Sequence, residues 1–418
     1  MTLKIRLRLS LMMFLQYFMF GAWFVTLGTY MSQGLRFDDI IGTAYGTQGI
    51  AAIISTLVFG VVADRWWAAQ KLLGVLAIIS GLTLFVAASI TTNPTLFLSI
   101  ILVHFLFFVP TIPLANSVAL NCITDRVSEF PPIRVCGTAG WIVAGLLIGS
   151  MPGAAASNLP LQISGFAGVL LGLYSFSLPN TPPAGKHKQS DWRSTLGLDM
   201  LGKLREPNFG LFIAGVLVIL IPLAFYNTYS NAFLSAVDLH ADILGRRIEP
   251  AAIQTLGQMS EFFLLLLLPM FLRRFGVKGV LVIGMLAWSV RYVLFAFGFD
   301  DSGSDFVMLV IAVMLHGVCY DFFFVAGQIY VDEHFEPALR ARAQSFLVTI
   351  NMGVGVVLGS NLANVIYQSY ALPDGGHDWQ AIWLIPGVIA LIAGIVFAVF
   401  FRLDSASVKG ASESKGAE

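Results

Sequence analysis

Twelve stretches of about 20 mostly apolar residues, each long enough to span a bilayer, follow one another along this chain. They lie near 8–32, 39–62, 71–91, 95–119, 132–152, 159–179, 208–233, 250–272, 277–298, 304–328, 343–369 and 379–402. In hydrocarbon every backbone N–H and C=O must be satisfied within the chain, so each stretch reads as a helix. Of the 418 residues, 57% are apolar and only 11% charged, against roughly 25% charged in soluble proteins. So few charges cannot solvate a globule of this size, which excludes a cytosolic enzyme and a disordered scaffold. The 24 Lys and Arg cancel the 24 Asp and Glu, which excludes a nucleic-acid binder. The three cysteines, Cys122, Cys136 and Cys319, fall in or beside apolar runs and imply no disulfide framework. The expected fold is an all-α membrane protein of twelve transmembrane helices.

Lys4, Arg6 and Arg8 precede the first stretch like the basic start of a signal peptide. The apolar run is too long for that and lacks a clear small-residue cleavage site, so it counts as a span. Orientation follows from Lys and Arg placement. With the N-terminus cytoplasmic, one side holds Lys4, Arg6, Arg8, Arg65, Lys71, Arg126, Lys186, Lys188, Arg193, Lys203, Arg205, Arg273, Arg274, Lys278, Arg340, Arg342, Arg402, Lys409 and Lys415, which is 19 of the 24. The other side holds three, Arg36, Arg246 and Arg247, and Arg134 and Arg291 fall inside spans. Both termini are therefore expected in the cytoplasm.

A connection rich in Pro, Lys and polar residues, with Pro182, Pro183, Lys186, Lys188, Gln189 and Ser190, follows the sixth stretch. It divides the chain into an N-terminal six-helix bundle (1–180), a cytoplasmic linker (181–206), a C-terminal six-helix bundle (207–404) and a tail (405–418) expected to be disordered. The halves echo one another. Asp64-Arg65 closes the second stretch and Arg273-Arg274 the eighth; Phe130-Pro-Pro-Ile-Arg134 enters the fifth and Phe335-Glu-Pro-Ala-Leu-Arg340 the eleventh. Two six-helix repeats with a Gly60-Val-Val-Ala-Asp64-Arg65 turn resemble the major facilitator superfamily, whose halves rock about a midplane site. In that pattern Asp64, Arg65, Arg273 and Arg274 have gate or structural roles.

No Gly-x-x-x-x-Gly-Lys-Ser/Thr loop occurs, so direct ATP coupling has no support. The histidines at 104, 187, 240, 316, 334 and 377 include no His-Glu-x-x-His pair, and neither a metal nor another cofactor is expected. A secondary transporter, or a passive carrier, remains. A charge at mid-helix costs about 2.5–3.5 kcal/mol on insertion scales and so calls for a reason. Glu261 lies eleven residues into an apolar stretch with Gln258 one turn before it, and Asp321 lies deep in His316-Gly-Val-Cys-Tyr320-Asp321. Arg134, Thr138 and Trp141, spaced i, i+4 and i+7, share one helix face. Plainer readings stand beside these: Arg134 is near enough to the cytoplasmic end to snorkel, Arg291 reads equally as structural, and His316 could bond a backbone carbonyl. His104 and the cluster Asp332, Glu333 and Glu336 read as structural or gate-related, and the pairs Gly145/Gly149 and Gly355/Gly359 as close-packing sites.

Burial favours the protonated form of a carboxylate and a nearby arginine favours the ionised form. Together they let protonation alternate with ligand binding, as a proton symporter requires, and Glu261, Asp321 and Arg134 are the candidates. One proton moving down 100 mV releases about 2.3 kcal/mol, roughly a fifty-fold concentration ratio. The candidate cavity combines aromatic planes with amides and hydroxyls: Thr138 and Trp141; Tyr226, Asn227 and Tyr229; Gln258 and Glu261; His316, Tyr320 and Asp321. That set suits a flat ring bearing hydroxyls, which fits a nucleoside and also a sugar.

These residues, with Phe14-Leu-Gln16, Gly21-Ala-Trp23, Thr26-Leu-Gly28-Thr-Tyr30-Met31, Leu196-Gly-Leu-Asp199, Asn231-Ala-Phe-Leu234 and Asp378-Trp-Gln380, resemble the nucleoside:proton symporter family of that superfamily, from about residue 3 to 402. The resemblance implies proton-coupled nucleoside uptake across a bacterial inner membrane, not an enzyme. It implies that Arg134, Thr138, Asn227, Gln258, Glu261 and Asp321 line the site. The protein is expected to work as a monomer. The chain departs from the family pattern at Ala224, where a glutamine is expected, at His316, where a tyrosine is expected, and at Trp141, where phenylalanine is usual. A sugar or oligosaccharide:proton symporter is the alternative substrate class. A membrane receptor that binds a nucleoside without moving it is the alternative of another kind.

Overall fold

The computed structural model describes residues 2–183, 192–300, 303–373 and 375–402. Among them, eight helices are long and apolar enough to cross a membrane, and a ninth counts if the bent pair Asp38–Ser55 and Leu57–Ala63 is one span. The longest, Pro250–Phe297, is two rods: Gly276 interrupts it at φ 66°, ψ 171°, backbone that glycine adopts without a Cβ penalty. With Gly276 as divider, the rods follow the twelve expected stretches in order. They are α1 Leu3–Gly21, α2 Ile41–Arg65, α3 Ala69–Ser89, α4 Pro94–Cys122, α5 Arg126–Gly149, α6 Leu159–Ser175, α7 Pro207–Ala236, α8 250–275, α9 277–297, α10 Phe306–His334, α11 Leu339–Ser369 and α12 Trp379–Phe400.

Local chemistry sets several starts. Asn93 accepts from Leu96 N at 3.0 Å with Pro94 at the first turn, and Asp305 and Asp378 cap α10 and α12 in the same way, each at 3.0 Å, satisfying N–H groups that a helix start leaves open. Helix α5 begins a turn and a half before the expected residue 132. Asp125 accepts from Ser128 N while Glu129 reaches back to Thr124 N at 2.9 Å, a reciprocal cap that carries the helix through Pro131 and Pro132. Helix α10 runs on to His334, past the expected 328. Both α10 and α11 contain a π-helical turn, Asp321–Val325 and Thr349–Val354.

The linker is described only in part. Residues 184–191, with Lys186, Lys188, Gln189 and Ser190, lie outside the described residues, as does the tail from 403. Beyond them Leu198–Arg205 forms a 3-10 helix that packs on the C-terminal half, with Met200 buried, Thr349 donating to Leu196 O at 3.1 Å and Arg342 3.6 Å from Asp199. Lys203 sits 2.7 Å from Glu206 and holds its carboxyl below the usual range.

The halves meet at one end. Among the described residues, the hydrogen bonds that join them cluster where α1, α5, α7 and α11 end and α2 and α8 begin. Thr29 donates to Asn231, Gly42 N to Asn364, Thr43 to Asn361, and Glu249 N to Gly149 O. Small residues allow the approach: a Cβ on Gly42 would lie 2.2 Å from Ser360 O, and one on Gly149 would lie 2.3 Å from Ala252 N. Gly145, whose Cβ would meet Thr255 at 2.5 Å, belongs to the same seam, while Gly355 and Gly359 pack within the second half against Leu220. At the opposite end, where Arg65, Arg273 and Arg274 are exposed, Gly60 of α2 has no atom within 4 Å of a built Cβ. Among the described residues, the bundle is sealed at the end poor in Lys and Arg and parted at the basic end.

Candidate functional site

Between the halves lies a cavity of about 280 Å³, just under the roughly 300–1,000 Å³ of small-ligand pockets. The first half contributes Arg134, Thr138 and Trp141, one face of α5, together with Tyr17, Phe20 and Phe24 of α1 and its continuation and Gln48 of α2. The second half contributes Tyr226 and Asn227 of α7, Gln254, Gln258 and Glu261 of α8, His316 and Tyr320 of α10, and Asn351 of α11.

The α5 face is built by close packing. A Cβ on Gly21 would meet Trp141 at 3.0 Å, so α1 and α5 touch there and the indole turns edge-on to Phe20, ring centroids 5.1 Å apart at 88°. Phe24 closes the same aromatic corner at 6.4 Å from Trp141. Arg134 lies over the Tyr17 ring with its guanidinium carbon 4.2 Å from the centroid, which holds the charge against the wall. Arg134 and Glu261 thus face one cavity from opposite halves, within range of each other's charge.

On the other wall Glu261 Oε2 is 3.8 Å from His316 Nε2. His316 stacks on Tyr226 with centroids 5.1 Å apart, and Tyr320 follows one turn on at 5.8 Å. Gln254 ties the cavity to the seal: its amide donates to Ser230 at 2.7 Å and accepts from Asn231 at 2.7 Å, and Asn231 accepts from Thr29 at 2.6 Å.

Eight of the nine expected site residues come together here: Arg134, Thr138, Trp141, Asn227, Gln258, Glu261, His316 and Tyr320. Asp321 does not line the cavity. It directly follows Tyr320, and a step of one residue turns a helical side chain about 100° away. Asp321 is 1% exposed, and its carboxylate has no hydrogen-bond partner among the described residues, at the start of the π turn. Tyr229 also leaves the expected set, since it is fully buried and donates to Asn364 at 2.8 Å as part of the seal. Asp64 and Arg65 close α2, and Arg273 and Arg274 precede Gly276, all at the parted end and away from the cavity. His104 is structural, buried against the Ser80 carbonyl at 3.0 Å. Sequence reasoning missed Tyr17, Phe20, Phe24, Gln48, Gln254 and Asn351. The signal for the first three was present as aromatics at i, i+3 and i+7 in the first stretch.

Comparison with known proteins places this arrangement. The model of the nucleoside H+ symporter family matches residues 3–406. Xanthosine permease of Escherichia coli is 35% identical over 409 residues, covering 96% of this chain and 97% of that protein. Nucleoside permease NupG of Escherichia coli is 32% identical over 407 residues, covering 96% of each. A crystal structure of nucleoside transporter NupG superposes with a TM-score of 0.85 at 31% identity, over 96% of this chain and 100% of that one. A peptide transporter of the POT type, at 14% identity and TM-score 0.74 over 94% of this chain and 93% of that one, shares the fold alone. With a family match across nearly its whole length and a two-half bundle around a charged, aromatic cavity, this chain belongs to the nucleoside H+ symporter family.

Proposed function

We propose that this chain takes up nucleosides together with protons across a bacterial inner membrane by alternating access, with both termini in the cytoplasm and the monomer as the working unit. The observation that carries the reading is the cavity between the halves, sealed at one end and parted at the basic end. A carboxylate, Glu261, and a guanidinium, Arg134, face it from opposite halves. Trp141 and Tyr320 flank the base, while Thr138, Asn227 and Gln258 hydrogen-bond base or ribose. Glu261 alternates between proton and ligand under the field of Arg134. Asp321, buried behind the wall within range of the Glu261 charge, is the second carboxylate of the coupling.

The experiment that tests the substrate class is competition for labelled uridine uptake in vesicles. Unlabelled nucleosides are expected to compete and mono- or disaccharides to leave uptake unchanged. Competition by sugars alone would replace the nucleoside reading with the sugar one. Counterflow of labelled uridine separates a carrier from a receptor, which binds without exchange.

A further inference from the structure

Arg291 on α9 is fully buried, and among the described residues no carboxylate pairs with it. Its charge is held by aromatic faces instead. The guanidinium carbon lies 3.5 Å from the Tyr226 ring centroid, 5.4 Å from Trp288 and 5.7 Å from Phe295, an arrangement that compensates a cation by ring quadrupoles. Nη1 lies 3.2 Å from His316 Nδ1 and the Cys319 side chain sits beside the guanidinium, whereas among the described residues Nε and Nη2 have no geometric hydrogen-bond partner. A guanidinium has only donors, so the nitrogen it meets must accept. A doubly protonated ring would set donor against donor, and a flipped ring would set a carbon against the guanidinium.

We infer that Arg291 is a positioning residue that fixes His316 as the neutral imidazole with its proton on Nε2. The cavity wall then carries a permanent hydrogen-bond donor beside Glu261, whose Oε2 is 3.8 Å away. That gap is longer than a hydrogen bond and leaves the Nε2–H free for a ligand. The ligand feature it reads is an acceptor, a carbonyl oxygen or ring nitrogen of the base. This last step rests on the nucleoside reading; the tautomer does not. A phenol at this position can either donate or accept, whereas a locked imidazole only donates, so His316 narrows the range of ligand groups that fit.

Nitrogen-15 NMR of the full-length protein, labelled at its six histidines and held in lipid nanodiscs, tests the tautomer without any substrate. The His316 resonances, identified by their loss in His316→Gln, are expected to show a protonated Nε2 and an acceptor Nδ1. A protonated Nδ1, alone or with Nε2, overturns the proposal. Uridine transport supplies a second readout. Arg291→Met is expected to release the ring into both tautomers and raise KM at least five-fold with kcat changed less than two-fold. Arg291→Lys, also donor-only, is expected to stay within two-fold of the unaltered KM. Equal KM values for Arg291→Met and Arg291→Lys overturn the positioning role. Failure of uridine transport by the unaltered protein would count against the nucleoside reading and leave the NMR result to decide the tautomer.

Discussion

Thr29 Oγ1 donates a 2.6 Å hydrogen bond to Asn231 Oδ1 across the seam between the two halves. Asn231 passes the connection through Gln254 to Ser230, and both of these line the cavity. The seal is thus a chain of neutral amides and hydroxyls that begins at the binding site, and a ligand that reorients Gln254 acts directly on the seam. Asn231→Ala strands the Thr29 hydroxyl and the Gln254 carbonyl, at about 1–3 kcal/mol for each unsatisfied buried group. The sealed state is expected to lose population. In a background lacking Cys122, Cys136 and Cys319, a Thr43→Cys reporter on the seam should react several-fold faster with an impermeant thiol reagent from the sealed side. An unchanged rate would show that the amide chain does not hold the seal.

The steric side of the same seam yields a paired comparison. A Cβ at Gly149 would sit 2.3 Å from Ala252 N, whereas at Gly60 it would meet nothing within 4 Å. Gly149→Val is expected to cut transport at least ten-fold at equal membrane expression, because the halves no longer close, while Gly60→Val stays within about two-fold. Equal tolerance at both positions would contradict the placement of the seam.

Glu261 is the cavity carboxylate, and Glu261→Gln keeps its shape while removing its charge. Proton-driven accumulation is expected to vanish and uridine counterflow, which needs no net proton movement, to persist. Full accumulation by the variant would remove Glu261 from the coupling role.

Asn227 reaches the cavity from α7. Asn227→Ala is expected to weaken uridine binding about ten-fold, the order of one lost ligand hydrogen bond with a partner left unpaired. Isothermal titration with purified protein measures it, and an unchanged affinity would mean that α7 does not read the ligand.

Much of this architecture is legible in the residues. Apolar runs mark the spans because hydrocarbon admits little else, and the Arg273-Arg274-Phe-Gly276 turn divides α8 from α9 where glycine's left-handed backbone is needed. Arg134, Thr138 and Trp141 are found together because helical spacing alone sets them on one face. Phase along α10 was harder to read. Two carboxylates deep in apolar stretches look alike in sequence, yet Glu261 faces the cavity and Asp321 turns behind it at a π turn. Tyr17, Phe20 and Phe24 are not legible as site residues because an aromatic in an apolar run serves lipid, core or ligand equally well until a neighbour such as Gly21 brings α5 against it. Arg291 had no acidic residue near it in sequence, and its partners are rings and an imidazole from α7, α9 and α10.

The most direct measurement is uptake of radiolabelled uridine and adenosine into proteoliposomes with and without an inward proton gradient. Proton-coupled nucleoside transport predicts accumulation above the external concentration only with the gradient, collapsing on addition of a protonophore. No uptake by a preparation shown to be folded, or equilibration indifferent to the gradient, would contradict it.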